Sequence, residues 1–579
     1  PSFTVGGAVE DYRMTPDGTS SADLAFPSYN FPDMWEIPSQ PGTVGAFDFS
    51  SEWDLSAPTL TMSVVAPKHL TLQAQYPNYI DLDQSFAEFS GNQTLPVVDA
   101  GVGSAQDFAG INARGKLALI HLDTLSGCLV ESSQLQHALQ AGAAGVLVAP
   151  TLTLPSGEPF TCPVPLEPQS FFGQGPEVNI PFVSVPAAEA TSLRGLLAHG
   201  TVRVNVAALA ISPYQYDLKF YAEGKMPSST AYTVTDHTVT AVHANYHSAQ
   251  AAFAEPFDAV FAPDEFFVGG VTDALPAPAA QTEYYGPASP AVVWQRFPGL
   301  FADDAVLDAG VTYDVFGQPG NGRTEDWFGS PAAPGSIDPP QDVFQAQPGK
   351  FDGSAPSAFC AGCRQGDTFY PLFYKVLNSD PRLTDGPFGF TSDNIHLFHD
   401  GQEIQPISFA GIAAYQLPAQ RATYQLKANF FNTATDWQFT SGQPASNQVP
   451  DGFACVAAAL TGSTDPCEVD PLIFLRYNAF TSLTNAVSAA ATHQIQVTPS
   501  YQAPVAPAKI TSLRLWISTD GGTTWQQEQT RVHDGTYTAS YHVPALSATS
   551  GWVSVRVQAT DSAGDTVSQT ISNAYAITN

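Results

Sequence analysis

Prolines and glycines punctuate this chain from end to end, with 48 Pro and 45 Gly spread through 579 residues rather than gathered in one tract. Proline locks one backbone angle and lacks an N–H, and glycine supplies the turn conformations other residues avoid, so this spacing favours short elements joined by turns. Thr, Val, Tyr and Phe are abundant between them, which selects strands. A mainly β chain is expected. At about 100 to 200 residues per domain, it should form roughly three to five domains.

Charge narrows the partners. Lys plus Arg number 21 against 54 Asp plus Glu, a formal net charge of −33. Such a surface repels phosphate backbones and anionic lipid, which makes nucleic acid and membrane surfaces poor partners. Charged residues are 13% of the chain, but apolar residues reach 44% and aromatics 11%, enough to build cores. No apolar run attains the roughly 18 residues of a membrane span. The chain opens at Pro1 with neither an initiator Met nor a basic, apolar leader, as expected of a processed chain.

Six cysteines fall into three local couples, Cys128 with Cys162, Cys360 with Cys363 and Cys455 with Cys467. An even set of this kind fits disulfides in an oxidising compartment, so secretion is expected. Cys360-Ala-Gly-Cys363 could alternatively be half of a redox or zinc site. No second C-x-x-C and no nearby His completes a ligand set in the sequence, so a tight structural disulfide is expected.

One segment departs from the β pattern. Between Val97 and Val206 strands alternate with helices: Lys116–His121, helix Ser132–Ala141, Gly145–Val148, Ile180–Val185, helix Ala187–Leu197 and Thr201–Val206. This order reads as an α/β unit with parallel pairing. On either side the periodicity is near two, as in Tyr214–Tyr221 and Thr238–Tyr246, with hairpin turns at Asp400-Gly401, Asp520-Gly521-Gly522 and Asp534-Gly535. β-sandwiches are the natural architecture. The stretch Gln318–Gln347 reads as a long surface loop, and Tyr501–Pro507 as a linker at a domain boundary.

The run Asp107-Phe-Ala-Gly-Ile-Asn-Ala-Arg-Gly-Lys-Leu-Ala-Leu-Ile-His121, then Cys128, Ala138-Leu-Gln-Ala-Gly-Ala-Ala-Gly-Val-Leu-Val148 and Ile180-Pro-Phe-Val-Ser-Val185 resembles a protease-associated domain. Family members use that domain as a lid or recognition module on secreted peptidases and sorting receptors. Further along, Ser212-Pro-Tyr-Gln-Tyr-Asp217, Leu397-Phe-His-Asp-Gly401, Trp437-Gln-Phe-Thr-Ser441 and Val553-Ser-Val-Arg-Val557 are similar to the region that follows the catalytic domain in large actinobacterial subtilisin-like serine peptidases. The resemblance implies a first β-sandwich of residues 1–65 and 207–330, an inserted protease-associated domain over 66–206, a second sandwich over 331–500 and an immunoglobulin-like domain over 508–579.

The catalytic part of that family has no counterpart here. A subtilisin-like site needs Asp, His and Ser in that chain order, whereas His199-Gly-Thr201 and Gly18-Thr-Ser20 stand in the reverse order. No catalytic residue is therefore assigned. His237, His243 and His247 invite a metal reading, but on a strand His243 and His247 lie about 13 Å apart at about 3.3 Å per residue. His396 and His399 beside Asp393 are read likewise as ordinary surface groups. No metal and no cofactor are expected. Ser518-Thr-Asp-Gly-Gly-Thr-Thr-Trp525 fits an Asp-box, a local hairpin device rather than a propeller in single copy. Asn92-Gln-Thr94 fits a glycosylation sequon, and because the resemblance implies a bacterial source it is expected to be unmodified.

The functional expectation is a secreted, non-catalytic recognition portion of a subtilisin-like serine peptidase that binds protein substrate or a separate peptidase catalytic chain. A self-standing surface or matrix protein that self-assembles through its sandwiches is the alternative, and a hydrolase with an unrecognised carboxylate site is a third. The partner-facing element is expected between Thr151 and Asn179, 29 positions holding six prolines. A structureless loop of that length is uncommon unless it has a task. Phe160, Phe171 and Phe172 would be its apolar anchors, tied to the scaffold through a Cys128–Cys162 bridge.

Overall fold

The two strand-forming patterns separate into two bodies, Ser56–Pro213 on one hand and Pro1–Leu55 with Tyr214–Asn579 on the other. The structure is a computed structural model that describes residues 2–5, 9–14, 20–24, 49–56, 60–74, 89–122, 130, 132–149, 151–153, 159–161, 180–209, 212–222, 232–261, 268–271, 275–302, 305–320, 322–336, 359–377, 384–385, 394–409, 412–430, 432–449 and 453–579. The chain is mainly β, with many separate sheets. Among the described residues, no helix is long and apolar enough to cross a membrane.

The smaller body is built on one seven-stranded sheet, in the order Phe182–Ser184, Gly145–Ala149, Leu117–His121, Gly91–Asp99, Arg203–Ala208, Leu60–Ala66 and Leu70–Leu72. The first three pairings are parallel and the remainder antiparallel. Gly145–Ala149 is apolar and buried at every position, and Leu117–His121 at all but its last, as expected when both faces are covered. Leu117, Leu119 and Leu147 pack with Ala190 and Leu193 of helix Ala187–Leu197. Ala118, Ile120, Val146 and Val148 face the other way, onto Phe108, Leu135 and Ala138.

Local chemistry fixes this body's turns. Helix Ala105–Ala109 starts with a capping box in which Ser104 Oγ accepts from the Asp107 N–H and Asp107 accepts from the Ser104 N–H. The Ser104 contacts hold the Asp107 carboxyl below its ordinary pKa. Gly145 has a steric role: a Cβ there would lie 2.4 Å from the Phe89 ring and 3.1 Å from the Pro181 carbonyl oxygen.

In the larger body, one five-stranded sheet runs Thr324–Trp327, Thr240–Tyr246, Ala279–Gly286, Tyr214–Ala222 and Phe49–Ser56. A four-stranded sheet runs Val268–Val271, Phe257–Phe261, Val293–Arg296 and Thr312–Asp314. Part of the stretch Gln318–Gln347 is not the surface loop its composition predicts. It contains strands Thr324–Trp327 and Ala332–Gly335, with Glu325, Trp327 and Phe328 buried. Burial of an ion partner and two rings outweighs the local turn signals.

Further along, a nine-stranded sheet takes strands from both sides of Tyr501–Pro507: Thr433–Ser441 pairs with Thr566–Thr578, which pairs with Trp552–Asp561. Trp437, Phe439, Tyr477, Val555 and Val557 lie in one core cluster there. The Asp400-Gly401 and Asp534-Gly535 pairs join adjacent antiparallel strands with positive φ at both positions, 50° and 75° in the first and 47° and 80° in the second.

Candidate functional site

The apolar run Ala291-Val-Val-Trp-Gln-Arg-Phe-Pro-Gly-Leu-Phe301 carries one cation, and burying the strand buries Arg296 with it, at 2% relative exposure. An isolated buried charge would be prohibitively costly, so it must be paired. Arg296 Nη2 donates to Glu325 Oε1 and Oε2 at 2.7 and 2.8 Å and to Asp314 Oδ2 at 2.9 Å, while Nη1 donates to Glu283 Oε2 at 3.3 Å. Aromatic rings close the remaining directions, with Tyr285 5.0 Å and Trp327 5.6 Å from the guanidinium carbon.

A second cation joins the same carboxylates. Arg323 Nη2 lies 2.5 Å from Asp314 Oδ2, and its Nε pairs with Glu325. The tyrosines complete the network: Tyr246 donates to Glu283, and Tyr285 lies 2.9 Å from Glu283 Oε2 and 3.2 Å from Asp258 Oδ2. Burial raises the Glu283 pKa, against the attraction of Arg296, and burial raises both tyrosines well above their ordinary value. The carboxylates around Arg296 keep it charged despite burial. Because Glu283 and Glu325 belong to the five-stranded sheet and Arg296 and Asp314 to the four-stranded one, the cluster pins the two sheets together. Arg296 and the carboxylates of Glu283, Asp314 and Glu325 are buried, and Arg323 is partly exposed, so the cluster ties the sheets as a structural element.

The predicted histidines do not converge. His237 and His243 are exposed, and His243 Nδ1 meets Thr282 Oγ1 at 3.1 Å. His247 is buried, with Nδ1 3.0 Å from the Ser482 carbonyl oxygen and Nε2 3.2 Å from Asp326 Oδ1. His396 pairs with Glu403 at 2.6 Å on the surface. His199 follows helix Ala187–Leu197 and is exposed. The Asp-box is local: Asp520 accepts from the Thr524 N–H and hydroxyl, which hold its carboxyl down to about 2.

Of the stretch Thr151–Asn179 expected to face a partner, residues 151–153 and 159–161 are described. They form a hairpin in which Phe160 is opposite Leu152, so the stretch begins as paired strand and not as structureless loop. Phe171, Phe172, Cys128 and Cys162 lie outside the described residues. Cys360 is bonded to Cys363, and Cys455 to Cys467. Sequence reasoning missed the ion cluster altogether. The available signal was an arginine inside an apolar strand of an arginine-poor chain, with acids in the nearby patterns Tyr-Asp-Val-Phe and Thr-Glu-Asp-Trp.

No family model and no curated protein matches the chain. Among solved structures, it is similar to an aminopeptidase from Aneurinibacillus sp. strain AM-1 over 33% of this chain and 37% of that one, at 17% identity and a TM-score of 0.19. A peptidase M28 precursor from Shewanella amazonensis SB2B is similar over 35% and 44%, at 11% identity and a TM-score of 0.17. The chain thus spans less than half the length of either peptidase-related neighbour, and the likeness is weak.

Proposed function

We propose that this chain is the secreted, non-catalytic recognition part of a subtilisin-like serine peptidase, binding protein substrate or a separate catalytic chain through the stretch Thr151–Asn179. The observation that carries this reading is where that stretch leaves the smaller body. Strand Gly145–Ala149 is parallel to both neighbours, and the paired strands Thr151–Thr153 and Pro159–Thr161 come next in the chain after its carboxyl end. Parallel sheets place their binding loops at that end of the strands. The protease-associated resemblance of Asp107–His121 and Ala138–Val148 supports the same assignment, and the disulfides Cys360–Cys363 and Cys455–Cys467 favour an oxidising compartment.

The test is capture. Native material should copurify with a triad-bearing chain, or bind an unfolded protein substrate, and Phe171→Ser with Phe172→Ser should weaken that capture about tenfold or more, as for loss of central apolar anchors. Thermal stability of the double variant should stay within about 1 kcal/mol of the parent. A chain that forms homopolymers alone, or that a fluorophosphonate probe labels on a serine, would sink the proposal.

A further inference from the structure

The sequence offers Cys360-Ala-Gly-Cys363 no neighbouring ligand pair, but the fold does. Strand Cys363–Gln365 pairs antiparallel with Cys467–Val469, in a register that sets Cys363 opposite Val469 and Gln365 opposite Cys467. Alternation along the two strands therefore puts Cys363 and Cys467 on one face. A bridge between Phe359 and Ala454 then brings Cys360 beside Cys455. All four cysteines are buried in one cluster, walled by Val449, Phe453, Ala458 and Val505.

The sulfurs of the two disulfides lie close enough together to share one ion once both bonds are reduced. Sγ atoms of Cys360, Cys455 and Cys467 lie within 4.8 Å of one another, with Cys363 bonded to the first of them. Cys360 Sγ and Cys455 Sγ, which belong to different disulfides, are 3.8 Å apart. A tetrahedron of thiolates about 2.3 Å from a zinc ion has edges of about 3.8 Å. Gly362, at φ +69°, supplies the left-handed turn that lets both ends of the Cys-x-x-Cys segment point inward.

We propose that these four cysteines are one site: the reduced chain holds a single tetrahedral zinc-class ion there, and the two disulfides are the oxidised form of the same site. Soft thiolates select zinc or iron over oxygen-seeking cations. Each disulfide takes two electrons and two protons from a dithiol reductant, which closes to its own disulfide. The four resulting thiols release four protons as the ion binds, leaving a net charge of minus two on the metal and its sulfurs.

The test uses the full chain, reduced without oxygen by dithiothreitol, desalted and given one equivalent of Co2+. One cobalt per chain is expected, with the strong visible bands of a tetrahedral ion and a thiolate charge-transfer band that equimolar Zn2+ bleaches. Cys128→Ser with Cys162→Ser should leave that spectrum unchanged. Cys467→His should retain one cobalt with shifted bands, since imidazole can replace a thiolate on a tetrahedral ion but cannot restore a disulfide. If reduction unfolds the chain, Zn2+ should restore its β circular dichroism. A pale octahedral cobalt spectrum, loss of the bands in the Cys128/Cys162 variant, no cobalt on a folded reduced chain, or an unfolded reduced chain that Zn2+ does not rescue would each overturn the proposal.

Discussion

Arg296 donates to both carboxylate oxygens of Glu325, at 2.7 and 2.8 Å, across the gap between two sheets. Both residues are buried, so solvent does not screen the pair and removing one partner leaves the other stranded. Arg296→Met should cost about 3–5 kcal/mol in urea unfolding, the range for breaking a buried ion pair. Glu325→Gln should cost less, because Asp314 and Glu283 still face the guanidinium. The two losses should fail to add by about 0.5–3 kcal/mol. Additivity would mean that the contact is not made.

A second prediction concerns pH. Burial pushes the Asp470 carboxyl up to about 8, with Ser441 Oγ donating to it at 3.0 Å. In the unfolded chain the same group titrates near about 3.9. Between these values the folded state binds more protons than the unfolded one, so stability falls as pH rises from about 4 to about 8. Asp565, raised to about 6 chiefly by burial, acts in the same direction. Asp520, lowered to about 2, acts oppositely and only below about pH 4. The melting temperature should therefore peak below neutrality and decline toward pH 8, and Asp470→Asn should flatten the decline. A melting temperature that climbs steadily from pH 4 to pH 8 would contradict this.

How far the sequence could be read depends on whether the decisive contacts were local. Helix Ala187–Leu197 and the hairpin turns at Asp400-Gly401 and Asp534-Gly535 follow from neighbouring residues and appear where the pattern puts them. The approach of Cys360 to Cys455 depends on a bridge between Phe359 and Ala454, 95 positions apart, which no local periodicity encodes. The ion cluster was hidden for the same reason: Arg296 meets Glu325 through the packing of two sheets, and Thr324–Trp327 is a strand only because that packing exists. Ser104 with Asp107 is the opposite case, a local capping box that was legible and overlooked.

Two glycines of the smaller body give a paired prediction. Gly145→Ala places a methyl group 2.4 Å from Phe89 and 3.1 Å from the backbone oxygen of Pro181, and an overpacked core position of this kind costs about 1–3 kcal/mol. Gly195 lies inside helix Ala187–Leu197, where, the helix's own backbone aside, an added methyl group would meet nothing within 4 Å. Gly195→Ala should raise stability by about 0.4–1 kcal/mol, since alanine restricts the unfolded chain and favours the helix. Thermal melts of the two variants should move in opposite directions. Equal shifts would mean that Phe89 does not cover Gly145.

The last prediction tests a clasp between distant parts of the larger body. Asn485 Oδ1 accepts from the Ser330 N–H at 2.9 Å, and its Nδ2 donates to the Phe328 carbonyl oxygen at 3.0 Å. One side-chain amide therefore satisfies a donor and an acceptor of a turn more than 150 residues earlier. Beside it, Ser248 N donates to Leu483 O at 2.9 Å, and His247 meets the Ser482 carbonyl oxygen. Asn485 also holds φ at 52°, a conformation that asparagine tolerates better than most residues. Asn485→Ala removes both hydrogen bonds and adds backbone strain, for an expected loss of about 2–3 kcal/mol in total. Asn485→Gly relieves the strain while still losing the bonds, so it should be the less damaging variant despite its smaller side chain. If the two variants unfold at the same urea midpoint, the left-handed conformation contributes nothing; if both match the parent, the clasp does not hold the turn.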